Sequence, residues 1–291
     1  MRFEFIDNHR DEFPVCRMCK VLEVLRSGYY AWRGRPPSAR EMANQKLYER
    51  IEQVHNEGHG TYGSPRIYRK LKEQGVACSE NRVARLMRLR GLRAKQERTF
   101  KTTTKRNNKD PVAPNLLDRA FEAAGPNEKW LVDITYVRTE EGWLYLAVVL
   151  DLFSRRIVGW AMASRIRSDL TKRALTMALE HRDVEPGLLH HSDQGSQYTD
   201  AEYQQMLRDR GIEVSMNGVG SWYDNAPVES FFGTLKTEWV HHCAYGTRDE
   251  ARADIFYYIE VFYNRRRLHS SLGYLSPADY ESLHHQGDGL S

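Results

Sequence analysis

Apolar residues recur at helical spacing through the first hundred positions and at strand spacing from about residue 129. Beyond residue 60 the pattern predicts two short helices around a turn. Ser64-Pro65 offers an N-cap followed by a proline at the first helical position, Ile67 and Leu71 share one face, and the helix should end near Gly75. A second helix opens at Ser79 and runs to about Gly91. At roughly 100° per residue Val83, Leu86 and Met87 fall on one arc, while Arg85 and Arg88 point away from it. The pair reads as a helix-turn-helix with a basic outer face. The alternative is a solvated basic hairpin of no particular role.

The stretch from Lys101 to Asp110 holds no apolar residue and reads as a flexible basic linker. After Pro111 and Pro114 strands are predicted at 129–137, 143–151 and 157–163, joined as an antiparallel meander by turns at Arg138 to Gly142 and Phe153 to Arg156. A helix follows from Ser168 to His181 with Leu170, Ala174, Leu175 and Ala178 inward. Then come a strand near 187–192, a helix at about 200–210, a short strand at 212–216 and an amphipathic helix carrying Glu229. Val228, Phe231, Leu235 and Trp239 share the buried face of that last helix and Glu229 borders it, with Asp224 as its cap and Pro227 in its first turn. Three antiparallel strands followed by αβαβα is the order of a ribonuclease-H-like α/β fold. The chain divides into an N-terminal helical segment (1–40), the helix-turn-helix module (41–100), the basic linker (101–127), the ribonuclease-H-like core (128–245) and a C-terminal helical extension (246–291). In the extension Thr247 and Glu250 have capping-box spacing.

Charge sharpens this division. The net charge is only +4 over 291 residues, but residues 60–110 hold fifteen Lys or Arg against four Asp or Glu. That surplus makes a polyanion the natural partner of the block. Arg82, Arg85, Arg88, Arg93 and Lys95 in the module, and Lys101, Lys105 and Arg106 in the linker, are the candidate phosphate contacts. The longest apolar run, Trp143 to Leu150, is far short of the roughly 20 residues a bilayer crossing needs, so no membrane partner and a soluble, cytoplasmic chain are expected. Four scattered cysteines do not make a disulfide framework. Cys16-x-x-Cys19 and His55-x-x-x-His59 invite a zinc reading, but 35 residues separate the pairs, against about 12 to 15 in a zinc finger.

Three carboxylates stand out against this background. Asp133 interrupts the strand Trp130 to Val137, Asp193 follows Leu188-Leu-His-His-Ser192 just before Gln194-Gly195, and Glu229 lies on its helix, with 59 and 35 residues between successive members. In the predicted fold the first strand is central and the fourth pairs beside it, which brings Asp133 near Asp193. Carboxylates gathered together repel unless cations neutralise them, and hard oxygen ligands select Mg²⁺ or Mn²⁺ over zinc. Two such ions, roughly 3.5 to 4 Å apart, can activate an attacking oxygen and stabilise the departing one during in-line displacement at phosphorus. Any single Asp is more ordinarily a turn or cap residue, and Asp151 reads as one.

The segments His191 to Thr199, Tyr223-Asp-Asn-Ala-Pro-Val-Glu-Ser-Phe-Phe-Gly-Thr-Leu-Lys-Thr-Glu238 and Tyr263 to Glu281 resemble the second-frame transposase of bacterial insertion sequences of family three, whose catalytic core is shared with retroviral integrases. The resemblance covers nearly the whole chain, including Phe13 to Lys20 and Ser27 to Trp32. It implies that Asp133, Asp193 and Glu229 are the DDE metal ligands and that Lys236 contacts double-stranded DNA near the reacting end. On face geometry alone Lys236 could instead be an ordinary snorkelling lysine. The resemblance further implies cleavage at the terminal repeats to free a 3′-hydroxyl, strand joining, a homo-oligomer on DNA at the bacterial nucleoid, and expression fused by frameshifting to an upstream frame with a leucine zipper. Sustained heptads are absent from this sequence. Two other readings stay open: a metal-dependent nuclease that cannot join strands, and a DNA-binding regulator whose acidic trio is incidental. Arg265-Arg-Arg267 is either a solvated helix end or a phosphate contact.

Overall fold

The computed structural model describes residues 2–95, 113–217 and 225–288. At the N-terminus, helices α1 (Arg2–Asn8), α2 (Val15–Val21) and α3 (Arg26–Arg33) enclose a small cluster of Ile6, Met18, Cys19 and Tyr29. Helix α4 (Ala39–Glu57) starts on a capping box between Ser38 and Glu41 and packs Leu47, Ile51 and Val54 against α5 (Ser64–Glu73) and α6 (Glu80–Leu89). The buried residues of the last two are Ile67, Leu71, Val83, Leu86 and Met87, as the periodicity predicts. Ser79 caps α6 by accepting from the Arg82 N–H. Ser64 does not cap α5: it is the first helical residue, and extended Gly63 takes the cap position, so the proline falls in the first turn without a side-chain cap ahead of it. Beyond α5 and α6, Gly75 (φ +74°) and Gly91 (φ +72°) adopt the left-handed backbone that ends a helix with no Cβ penalty.

The core is a five-stranded sheet in the order β3-β2-β1-β4-β5. Strands β1 (Lys129–Thr139), β2 (Gly142–Asp151) and β3 (Ile157–Ala163) form the antiparallel meander, and the first hairpin turns tightly enough that only Glu140 and Glu141 lie outside it. After α7 (Ser168–His181), β4 (Leu189–Ser192) joins β1 in parallel; after α8 (Ala201–Arg208), β5 (Glu213–Met216) joins β4 in parallel. This is the ribonuclease-H-like order expected from the pattern. Alternation sorts the faces. Trp130, Val132, Ala147 and Val149 pack with α7 and α8, and Gly159 lets α7 rest on the backbone of β3, since a Cβ there would stand 2.2 Å from the Ala174 carbonyl oxygen.

The opposite face, with Leu131, Val137, Leu146 and Val148, receives α9 (Ala226–Glu238) and α10 (Arg248–Tyr257). The capping box of Thr247 and Glu250 opens α10, a π-helical turn at Tyr258–Tyr263 continues it, and α11 (Pro277–Asp288) closes the described chain. Asp151 is fully buried and serves the turn after β2, accepting from the backbone N–H groups of Asn127 (2.7 Å) and Ser154 (3.0 Å). Glu281 of α11 anchors beside it through Ser154, Arg156 and Arg182. The same apolar cluster spans α4 to α6 and the α9 face, so the helical module and the sheet share one core. Among the described residues no helix is long and apolar enough to cross a membrane.

Candidate active site and nucleic-acid surface

The register of β1 and β4 decides where the strand carboxylates stand. Lys129 pairs with Leu189, Trp130 with His190 and Leu131 with His191. Carried two positions further, the same offset sets Asp133 level with Asp193, just past the end of β4. Asp133 is an odd-numbered position of β1, on the face of Leu131 and Val137, and its Oδ1 accepts from the Ile134 N–H at 2.7 Å. Asp193 Oδ1 accepts from the Gly195 N–H at 2.8 Å, which holds the turn after β4 in a fixed shape. Neighbours brace that turn. The His191 ring nitrogens lie 2.8 Å from Ser215 Oγ and 2.5 Å from Asn217 Oδ1, and Gln194 Nε2 donates to the Asn217 carbonyl at 2.6 Å.

Helix α9 brings the third carboxylate to the same face. Val228, Phe231, Phe232 and Leu235 are buried in the cluster that holds Leu131 and Val137, which leaves Glu229 in the first turn and on the exposed flank. Partial desolvation raises the pKa of its carboxyl above the ordinary value. Lys236, seven residues further along α9, holds its ammonium 4.9 Å from the centroid of the Tyr136 ring on β1. Asp133 and Asp193 therefore each stand two residues past the last β1–β4 pair, and Glu229 lies on the helix that covers the Leu131 and Val137 face. The three do not close into one cage: among the described residues no three His, Cys, Asp or Glu side chains form a group that could hold a metal ion. Asp224, expected to cap α9, lies outside the described residues, and Asn225 at the cap position makes no side-chain cap bond.

The predicted phosphate contacts divide sharply. Arg85, Arg88 and Arg93 are exposed. Arg82 is half-buried, its Nε donating to Asn44 Oδ1 at 3.0 Å, so it ties α6 to α4 as well as edging the basic face. Lys95 is half-buried, its ammonium 5.9 Å from the Trp239 ring centroid. Lys101, Lys105 and Arg106 lie outside the described residues. Arg265 and Arg266 are exposed, but Arg267 is neither a solvated helix end nor a phosphate contact. It is buried and paired with Glu238, because the turn after the π-helical segment folds it back beneath α9. Cys19 belongs to the N-terminal cluster, while His55 Nδ1 lies 3.2 Å from the Tyr62 carbonyl and His59 stands edge-on to Trp239.

Two features escaped the sequence reading. One is the Glu238–Arg267 pair, whose members are 29 residues apart with no local pattern to join them. The other is an exposed aromatic pair, Tyr136 and Trp143, which only the hairpin register brings together.

Comparison with known proteins names the lineage. Residues 123–221 and 229–284 each match a family model described as an integrase core domain, and residues 42–100 match an HTH-like domain. The chain is 46% identical, over 92% of its length and 99% of the relative's, to an insertion element IS600 uncharacterized 31 kDa protein of Shigella sonnei. It is 43% identical, over 97% of its length and 99% of the relative's, to the transposase InsF for insertion sequence IS3A of Escherichia coli (strain K12). The chain belongs to the IS3 insertion-sequence transposase family. This transposase is accordingly a DNA-binding enzyme of DNA transposition, a DDE-type polynucleotidyl transferase with an integrase core behind an HTH-like domain. A looser likeness, TM-score 0.48 at 16% identity over 79% of this chain and 74% of the other, links the transposase to a chain of the simian T-cell lymphotropic virus intasome solved with the PP2A regulatory subunit B56 gamma.

Proposed function

We propose that this transposase cleaves DNA at the ends of its insertion sequence and joins the freed 3′-hydroxyl to a target phosphodiester, with Asp133, Asp193 and Glu229 as the ligands of divalent cations. The observation that supports this most is the parallel pairing of β1 with β4, whose offset, continued two residues beyond Leu131 and His191, leads to Asp133 and Asp193. The donor set suits the assignment: three carboxylates supply only hard oxygens, the preference of Mg²⁺ and also of Mn²⁺, and two ions fit the family's chemistry better than one. Such cations, when bound, supply charge stabilisation to both the attacking and the departing oxygen. The chain's own part is to hold the two strand carboxylates on braced backbone and to deliver Glu229 from α9. The reading requires Glu229 to close on the strand pair.

The HTH-like module, taken as 41–100, binds the terminal repeats, with Arg85, Arg88 and Arg93 on phosphates and the 101–127 linker tracking the duplex. Lys236 contacts DNA beside the reacting phosphodiester, and residues 128–245 carry the chemistry. Cutting and joining two element ends calls for a homo-oligomer on DNA, and fusion to an upstream frame by frameshifting would add a further DNA-binding part. The site of action is the bacterial nucleoid.

The test is incubation of labelled terminal-repeat DNA with Mg²⁺ or Mn²⁺. Joined products support transposition, cut products alone favour a nuclease, and retardation without chemistry favours a regulator. Asp193→Asn should bind the repeat with unchanged affinity and lose both cutting and joining. Cleavage retained by that variant removes Asp193 from the mechanism.

A further inference from the structure

Tyr136 and Trp143 are large aromatics left 49% and 44% exposed on the hairpin of β1 and β2, with ring centroids 5.0 Å apart and edge to face. Single exposed apolar residues are ordinary; two in contact, each with a cation at its ring, are not. The Arg138 guanidinium lies 5.9 Å from the Trp143 ring and the Lys236 ammonium 4.9 Å from the Tyr136 ring. The hairpin tip is also held still. Arg248 donates from Nε to the Trp143 carbonyl at 3.1 Å and also bonds the Glu141 carbonyl, and its backbone N–H donates to the Glu141 carboxylate at 2.9 Å.

Position gives this cluster a role. Tyr136 follows Asp133 by three residues, about 10 Å along β1, and alternation turns its side chain to the other face of the strand, yet Lys236 of α9, the helix on the Asp133 face, reaches its ring. Measured along a stacked strand of DNA, that distance is roughly three nucleotides. Lys236 comes from the helix that carries Glu229. Among the described residues β4 pairs with β1 only at Lys129 to Leu131, so the stretch from Val132 to Thr139 has no strand on that side to cover it. An exposed aromatic surface edged by cations is the arrangement that binds single-stranded nucleic acid, the rings taking base faces and the cations the backbone.

We infer that Tyr136 and Trp143, with Arg138 and Lys236, form a stacking platform for an unpaired base of the DNA strand next to the reacting phosphodiester. The inference rests on the proposed assignment of Asp133, Asp193 and Glu229. The platform would hold the end of the duplex frayed, so that a single strand can lie along the open side of β1. A purely structural account is also available for the pair, since diagonal aromatics stabilise a hairpin without any ligand. The two accounts separate by experiment.

The probes are a duplex with mismatched terminal pairs carrying 2-aminopurine at the unpaired position, and the same duplex fully paired. Both are titrated with the full chain in buffer without divalent cation, so the readout does not depend on cleavage. Wild type should quench the 2-aminopurine and prefer the frayed duplex. Tyr136→Ala and Trp143→Ala should lose the quenching and weaken frayed-end binding on the order of tenfold, with paired-duplex binding within about twofold. Tyr136→Phe and Trp143→Phe, which keep a ring, should restore it. Tyr136→Leu and Trp143→Leu, which keep apolar bulk, should not. Equal loss of melting temperature in the Ala and Leu variants with unchanged quenching would overturn the platform and leave a hairpin brace. Failure of the metal assignment shows separately, as cleavage by Asp193→Asn.

Discussion

Glu238 and Arg267 meet as a fork, with Arg267 Nε 2.6 Å from one carboxylate oxygen and Nη2 2.6 Å from the other, and both residues buried. Arg66 of α5 adds a third contact at 3.3 Å, and Tyr62 donates its hydroxyl to the Arg266 carbonyl at 2.9 Å. Burial opposes the charge on Arg267, but the fork to Glu238 more than offsets it and raises the guanidinium pKa. Arg66, with burial foremost and Arg267 nearby, is shifted down. The pair thus ties the HTH-like module, α9 and the C-terminal segment at one point.

Removing one member of such a pair strands the other charge in a dry site. Glu238→Gln should cost about 3 kcal/mol, and Glu238→Gln combined with Arg267→Met should recover a large part of it. Urea unfolding of the two single variants and the double variant measures this. Additive losses would show that the two residues do not act as a pair.

His190 is fully buried with its Nε2 2.8 Å from the Tyr203 hydroxyl, and burial pushes its pKa down to about 3. The unfolded chain takes up that proton near pH 6.5, while the folded chain does not until far lower. The stabilisation is therefore complete above pH 6.5 and is lost as pH falls from there toward 3. Between pH 7 and pH 5 this residue alone should account for about 2 kcal/mol of lost stability. His190→Gln should show a correspondingly flatter profile in urea unfolding across that interval. An unchanged profile would mean that His190 is not held neutral in the fold.

The exposed and the engaged arginines of α6 and of the segment just after it should part company in DNA binding. Arg85→Ala, Arg88→Ala and Arg93→Ala should each reduce the slope of log affinity against log salt by about 0.9 on the element's terminal repeat, as each lost phosphate contact retains its counterion. Arg82→Ala should in addition cost about 1 kcal/mol of stability through its bond to Asn44. Fluorescence anisotropy over a salt series and thermal unfolding check the two halves. A flat salt response in the wild type would remove the basic block as the DNA surface.

At Gly159 the backbone of β3 comes close against α7. Gly159→Ala forces a Cβ against a carbonyl oxygen that is fixed in a helix, so β3 and α7 must separate. A loss of about 3 kcal/mol is expected in thermal unfolding. A loss near zero would show that the two elements slide apart freely.

Much of this architecture is legible from residue pattern, and the exceptions have physical causes. Alternation in Trp130 to Val137 and the apolar spacing of Leu170, Ala174, Leu175 and Ala178 are local signals, and β1 and α7 follow them. The strand predicted at 187–192 is shorter because its bounds are set by pairing with β1 and β5, which starts at Leu189. Ser64 carries the chemistry of a cap, yet Gly63 supplies the extended backbone, a choice no composition rule makes. Strand order alone puts Asp133 on a strand beside the one that Asp193 follows. Glu238 and Arg267 cannot be paired until the chain has closed its long-range contacts, and Tyr136 meets Trp143 only once the register of the hairpin is set.

Helix α9 bears Glu229 near its start, Lys236 two turns on and Glu238 at its last residue. Thirteen residues of α-helix make a stiff rod about 20 Å long. Arg66 of the HTH-like module holds Glu238 at one end of this rod, and Glu229 stands near the other. Under the proposed function, one rigid helix is then shared by the module that grips the duplex and by the carboxylate that would serve the reaction.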